Sequence, residues 1–144
     1  MKSPLFTNTV TVLNHYRRQR EDLWQATVLS GVQVRCVVKS VLNTTGQWVT
    51  EMETQITIPA DADAGGRRYG KPAAFLQADE TERSGLWTLD PANGMDLILP
   101  EPYTGDMVDA QILSDLQREG AVTVMAVSDN TLRPRLKHWK VRCI

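Results

Sequence analysis

The sequence is poor in the residues that most often carry metal, redox or acid–base chemistry. Its 144 residues include two cysteines, Cys36 and Cys143, and two histidines, His15 and His138. The cysteines form no CxxC pair, and no histidine stands near either at metal-ligand spacing. Their ordinary reading is a pair of buried thiols in a reducing compartment. No run approaches the roughly 18 apolar residues of a membrane span. The opening stretch MKSPLFTNTV has one lysine and no apolar core, so it does not read as a signal peptide. Formal net charge is −1, so the chain as a whole is no polyanion binder, and any electrostatic argument must rest on local patches. HExxH, GxSxG and GxGxxG are missing, and neither histidine has a Ser or Cys nucleophile at a recognisable motif. The expectation is no enzyme, no metal and no cofactor, in a protein used in the cytoplasm or in a particle assembled there.

What is present is alternation. The length suits one domain over 1–144, able to bury a core without metals or disulfides. At 9–13, Val10 and Val12 alternate with threonines; at 23–29, Trp24, Ala26 and Val28 share a face, and the intervening 14–22 reads as a charged connection. Ser30 and Gly31 read as a break. Val32, Val34, Cys36, Val38 and Leu42 then share a face, Asn43 to Gly46 form a hairpin loop, and Trp48, Met52, Ile56 and Ile58 share a face on the return. Glu51 and Glu53 stand opposite Arg35 or Lys39, a pairing worth at most roughly 1 kcal/mol. Short strands follow at 86–89 and 95–99. At the C-terminus, 121–127 and the run Trp139, Val141, Cys143 form the most strand-like pair, the second with a basic outer face.

Two segments break the pattern. From 60 to 84, glycines, prolines and mixed charges replace the alternation, which predicts a long, protease-sensitive loop of functional use. Val108, Ile112, Leu113 and Leu116 form one helical stripe, with Thr104, Gly105 and Asp106 as cap candidates and Gly120 as a stop, predicting one packed helix over about 106–119. Local hairpins without a βαβ rhythm predict a mainly all-β fold: an antiparallel barrel or sandwich of about seven or eight strands.

The acidic residues of the loop, Asp61 and Asp63 among them, lack the remaining ligands of a calcium loop, and Gly65 to Arg68 lack the context of a phosphate site. Arg135, Lys137, Lys140 and Arg142 crowd the last strand. With four tryptophans in the chain, they keep open an OB-like module for single-stranded nucleic acid. Trp24, Trp48 and Trp139 fall on the aliphatic faces of their strands, so they read first as core or interface, and the basic face reads first as a solvated or subunit-contacting surface.

Three stretches carry a resemblance: FTNTVTVLN at 6–14, WxxTVLxGV at 24–32, and VSDNTLRPRLKHWKV at 127–141. In their order and spacing they resemble small tailed-phage and prophage proteins of the head–tail morphogenesis region, typical of phages of Gram-positive bacteria. The segment GMDLIL at 94–99 is similar in order, with Met95 inserted where that family has a more regular GDIIV. The resemblance covers both ends and the chain from about 86 onward, and not 60–84. It implies a virion neck component, for head closure or tail joining: a β-barrel body in a ring of about six or twelve copies, with long loops reaching neighbours or a DNA channel. Its partners would be further copies of itself, portal or adaptor proteins, tail-tube proteins and, passively, DNA in transit, with no membrane. Arg67, Arg68, Tyr69, Lys71 and Phe75 of the loop, with Arg135, Lys137, Lys140 and Arg142, are then the candidates for subunit-interface or channel-facing residues.

Overall fold

In the protein, whose computed structural model describes residues 5–105 and 107–144, the alternation closes into a barrel. The start of the signal-peptide reading, at 1–4, and the cap candidate Asp106 lie outside these residues. β1 (Asn8–Arg18) and β2 (Glu21–Leu42) form an antiparallel hairpin, and β3 (Trp48–Pro59) returns along the far half of β2. The chain continues through β4 (Arg68–Tyr69), α1 (Pro72–Gln77), α2 (Glu80–Arg83) and β5 (Leu86–Trp87). It ends with β6 (Leu97–Leu99), β7 (Met107–Asp109), α3 (Ala110–Arg118), β8 (Val122–Asp129) and β9 (His138–Cys143). Hydrogen-bonded neighbours run β1-β6-β8-β9-β3-β2, and β2 pairs back onto β1, so the antiparallel sheet closes on itself, with β7 as a side strand on β2. Closure removes most of the open edges that a sheet would otherwise present.

Strand parity divides the core in two. Val10 and Val12 point into the barrel with Leu29, Ile56, Ile98, Val124 and the dry face of β9, Trp139, Val141 and Cys143. Leu13 points outward from β1 and packs with Trp24, Ala26 and Leu97 beneath Leu113 and Leu116 of α3. β1 is therefore buried on both faces from Val10 to Asn14, where its threonine had suggested a wet side. Asp109 caps α3 by accepting from the Ile112 amide at 2.8 Å. The helix is shorter than expected because Val108 is held in β7, opposite Trp24.

Two expected interruptions are strand. The charged 14–22 segment continues both strands to a two-residue turn, Gln19 and Arg20, each with positive φ (51° and 67°). That turn normally takes Asn or Gly, which is why its sequence reads as a connection. Gly31 does not break β2. It is an extra residue in the ladder, since Asn8 pairs with Val32 and Thr9 with Ser30, and it sits at φ 80°. This is a glycine bulge. It leaves Ser30 to exchange two backbone hydrogen bonds with Asp63.

The expected structureless excursion at 60–84 is largely folded, bringing the helices among the described residues to three. Arg67 ties it to the barrel, donating to the Ala26 carbonyl, to Thr27 Oγ1 at 2.8 Å and to the Ser84 carbonyl at 3.0 Å. β4 and β5 pair in parallel. Phe75, 1% exposed, fills a pocket with Tyr16 and Leu23, and the Arg83 guanidinium lies 4.5 Å from the centre of the Tyr16 ring. Beyond it, Trp87 and Leu89 enter the barrel core, where Trp87 and Trp139 meet edge to face with Tyr69 against both.

Below this aromatic group lies a buried polar clasp. Asp96 accepts from the His15 amide (2.8 Å), Asn14 Nδ2 (2.9 Å), the Asp90 amide (3.1 Å) and Asn93 Nδ2 (3.1 Å). Asn14 also exchanges two hydrogen bonds with the backbone of Thr88. Burial raises the Asp96 carboxyl above its ordinary pKa, against the opposing effect of these four donors, chiefly the His15 amide.

Candidate functional site

Past the barrel, β2 and β3 run on as a free-standing hairpin. β1 leaves β2 at Val32, and β9 leaves β3 at Thr54. Of the 35–53 segment, residues 37–53 therefore pair only with each other, in a ladder from Val37–Glu53 to Leu42–Trp48. From Thr54 to Trp48 the arm projects by roughly 20 Å at about 3.3 Å per residue. Its turn is well made: Asn43 Oδ1 accepts from the amides of Thr45 and Gln47 and from the Thr45 hydroxyl, and Gly46 takes φ 80°.

One face of the arm is apolar and uncovered. Val38 stands opposite Met52, and Leu42 opposite Trp48, all on the same side of the ladder. Their exposures are 64%, 67%, 58% and 72%. Large apolar side chains scattered singly are ordinary on a protein surface, but a contiguous set of them marks an interaction site or an aggregation hazard. Cys36 lies on this same face and is exposed, so the expectation of two buried thiols holds for Cys143 alone. Burial pushes the Cys143 thiol up to about 12, with a smaller push from the Glu53 charge.

At the root of the arm sits an ion cluster. Glu53, nearly buried, receives Lys39 Nζ at 3.0 Å, Arg142 Nη2 at 2.6 Å and Gln55 Nε2 at 2.7 Å. Hydrogen bonds from Gln55, Arg142 and Lys39 hold its carboxyl down at about 2. Glu53 reads from the sequence as a solvent-facing strand glutamate. Instead it fastens the arm to β9. Glu51 is the residue directly opposite Lys39, but the ion pair forms with Glu53, one position off along the same face.

At the other end of β3 lies a cleft of about 600 Å³. Its floor and walls are mostly apolar, from Phe6, Pro59, Ala60, Ala62, Pro134 and Leu136, with Arg135, Lys137 and His138 at the rim. Leu136 is 84% exposed and holds φ 54°, a conformation a branched side chain seldom takes without compensation elsewhere.

The other candidate residues separate by location. Arg135 and Lys137 border the cleft, Lys140 is exposed on β9, and Arg142 is engaged by Glu53. Arg68 and Lys71 are exposed, whereas Tyr69 packs into the aromatic group. Arg67 and Phe75 serve the fold: Arg67 clamps the excursion while staying partly exposed, and Phe75 is buried and so is not a surface contact. The four hydrophobic residues of the arm were legible as one face but not as an uncovered one. The signal that finds them is a hairpin whose apolar stripe is longer than the strands available to flank it.

His15 Nε2 lies 2.8 Å from Asp22 Oδ1 and its ring tilts against Trp24. Asp22 also meets Arg17. No cluster of metal-ligating side chains occurs among the described residues, and no helix among them is long and apolar enough to cross a membrane.

A family model described as a family of unknown function, DUF6751, matches residues 5–144. No curated protein and no solved structure matches the chain.

Proposed function

The chain belongs to that family of unknown function, DUF6751, and we propose that it is a structural assembly protein rather than an enzyme. It acts by binding copies of itself in a ring at the head–tail junction of a tailed-phage or prophage particle, as a head-closure or tail-joining component. The observation that carries the assembly reading is the uncovered apolar face of the 35–53 arm. A protein that leaves Trp48, Leu42, Met52 and Val38 in water together gains by covering them, and association is the direct way to do so. The likeness of the three sequence stretches to head–tail morphogenesis proteins supports a place at that junction. Portal, adaptor or tail-tube proteins are the neighbours above and below such a ring, with DNA as a passing contact.

The nucleic-acid alternative draws less support. Stacking platforms need several accessible rings along a basic groove, and of the four tryptophans only Trp48 is exposed, while Trp24, Trp87 and Trp139 are buried. Native mass spectrometry of the purified protein, with cryo-electron microscopy of particles that contain it, tests the proposal. A ring of about six or twelve copies is expected. A monomer missing from purified particles overturns it.

A further inference from the structure

The arm and the cleft are the convex and concave halves of one contact. We infer that the apolar face of the arm, with Trp48 leading, seats in the cleft of a second copy of this chain, a head-to-tail contact that propagates around a ring. This inference rests on the assembly reading above and names its interface.

Three observations carry it. First, both surfaces are apolar and unpartnered among the described residues, and they differ in shape: a projecting stripe on the arm and a cleft of about 600 Å³ below it. Second, the arm cannot reach the cleft of its own chain. The cleft is lined at Thr57 and Pro59, and Trp48 lies at the opposite end of the same strand. Trp48 and Thr57 are roughly 30 Å apart at about 3.3 Å per residue. β3 is paired along its whole length, by β2 and then β9, so it cannot fold back. An arm seated there must belong to another copy, and the two surfaces lie at different places on the molecule. Such a contact is heterologous, which builds rings or filaments rather than closed two-fold dimers. Third, Leu136, at positive φ, holds its side chain in solvent at the rim of the cleft. Covering Leu136 with an apolar neighbour removes that side chain from water.

A cleft of this size also falls within the range of small-molecule pockets, about 300–1,000 Å³, and an arm could instead pair with another arm. A mixing experiment separates these outcomes. The arm-defective variant is Trp48→Asp with Met52→Asp. The cleft-defective variant is Leu136→Asp, with Ala60→Trp as an independent version that fills the cavity. All four positions are exposed, so circular dichroism and thermal melting should match wild type for each variant. Analytical ultracentrifugation of each variant alone is expected to show self-association weakened by about 30-fold or more, as for a central hot-spot aromatic. Mixed in equal amounts, they are expected to form a 1:1 heterodimer and nothing larger, because only one live arm and one live cleft remain.

Arm-to-arm pairing would leave the cleft variants fully assembled and the mixture without a heterodimer, and would overturn the inference. Wild-type assembly by both arm and cleft variants would overturn it too, while sparing the assembly reading. Wild type that stays monomeric at every concentration would sink both. A photo-crosslinker at position 48 gives a second readout. Linkage to peptides spanning 57–62 or 134–138 of another copy is expected, and linkage only to 36–52 of another copy refutes the inference.

Discussion

Replacing Asp96 by alanine should be among the most damaging single changes in the protein, and the cost can be worked from its partners. The carboxylate accepts four hydrogen bonds, two on each oxygen: His15 N and Asn93 Nδ2 on Oδ1, and Asn14 Nδ2 and Asp90 N on Oδ2. Asn14 retains the Thr88 carbonyl after the change, and Asn93 can turn toward solvent. The amides of His15 and Asp90 have nowhere to go. At about 1–3 kcal/mol for each stranded buried donor, Asp96→Ala should lose about 2–6 kcal/mol. The raised pKa of Asp96 works the other way, since the folded state already holds this charge at a cost, so the lower half of that range is expected. Asp96→Asn keeps one oxygen for one pair of donors but turns an NH2 group toward the other pair, and should recover at most half. Urea unfolding followed by fluorescence gives the number, provided that the slope with denaturant is unchanged. A loss below about 0.5 kcal/mol for Asp96→Ala, the level of an ordinary surface change, would mean that the clasp does not hold the 88–96 segment to β1.

Other consequences can be measured separately. Glu53 has a folded pKa of about 2, below its ordinary value of 4.5, so its contribution is full above pH 4.5 and is lost as pH falls toward 2; Glu53→Gln should flatten the fall in melting temperature across that window, and an unchanged acid profile would refute its role. Native protein should react with a thiol reagent at one site, Cys36, and expose Cys143 only on unfolding; two fast thiols would contradict the burial of β9. Changing Gln19 to Asn and Arg20 to Gly relieves two residues of positive φ and should raise stability by about 1 kcal/mol in chemical denaturation. Trypsin should cut first after Arg135, which is exposed, and spare Arg67 and Arg83, which are anchored within the excursion; early cleavage at those two would restore the view of 60–84 as a loose loop.

Much of the body of the fold was readable because it is local. The dry face of β9, the Asn43 turn and the 48–58 stripe follow from parity and turn chemistry, and each appears where expected. Features that depend on distant partners were not readable. Asn14 to Arg18 are strand because Gln25 to Glu21 lie opposite them, and the turn between uses residues that disguise it. The 60–84 excursion has few large apolar residues, yet Phe75 and Arg67 fix it through contacts with β1 and β2. Asp96, alone among apolar neighbours in 95–99, carried a signal: a charge at a buried parity position asks for donors. For the candidate site, alternation put Val38, Leu42, Trp48 and Met52 on one face, but whether a third strand covers that face depends on where β1 and β9 end.

Since β2 is at once a stave of the barrel and a side of the arm, the two cannot swing independently. The 22-residue strand carries force between them along a hydrogen-bonded ladder loaded in shear, and its direction changes at Gly31. In an assembly joined through the arm, that single glycine bulge would act as a protractor. The angle it imposes between barrel and arm would fix the turn from one subunit to the next, and with it the number of copies needed to come full circle.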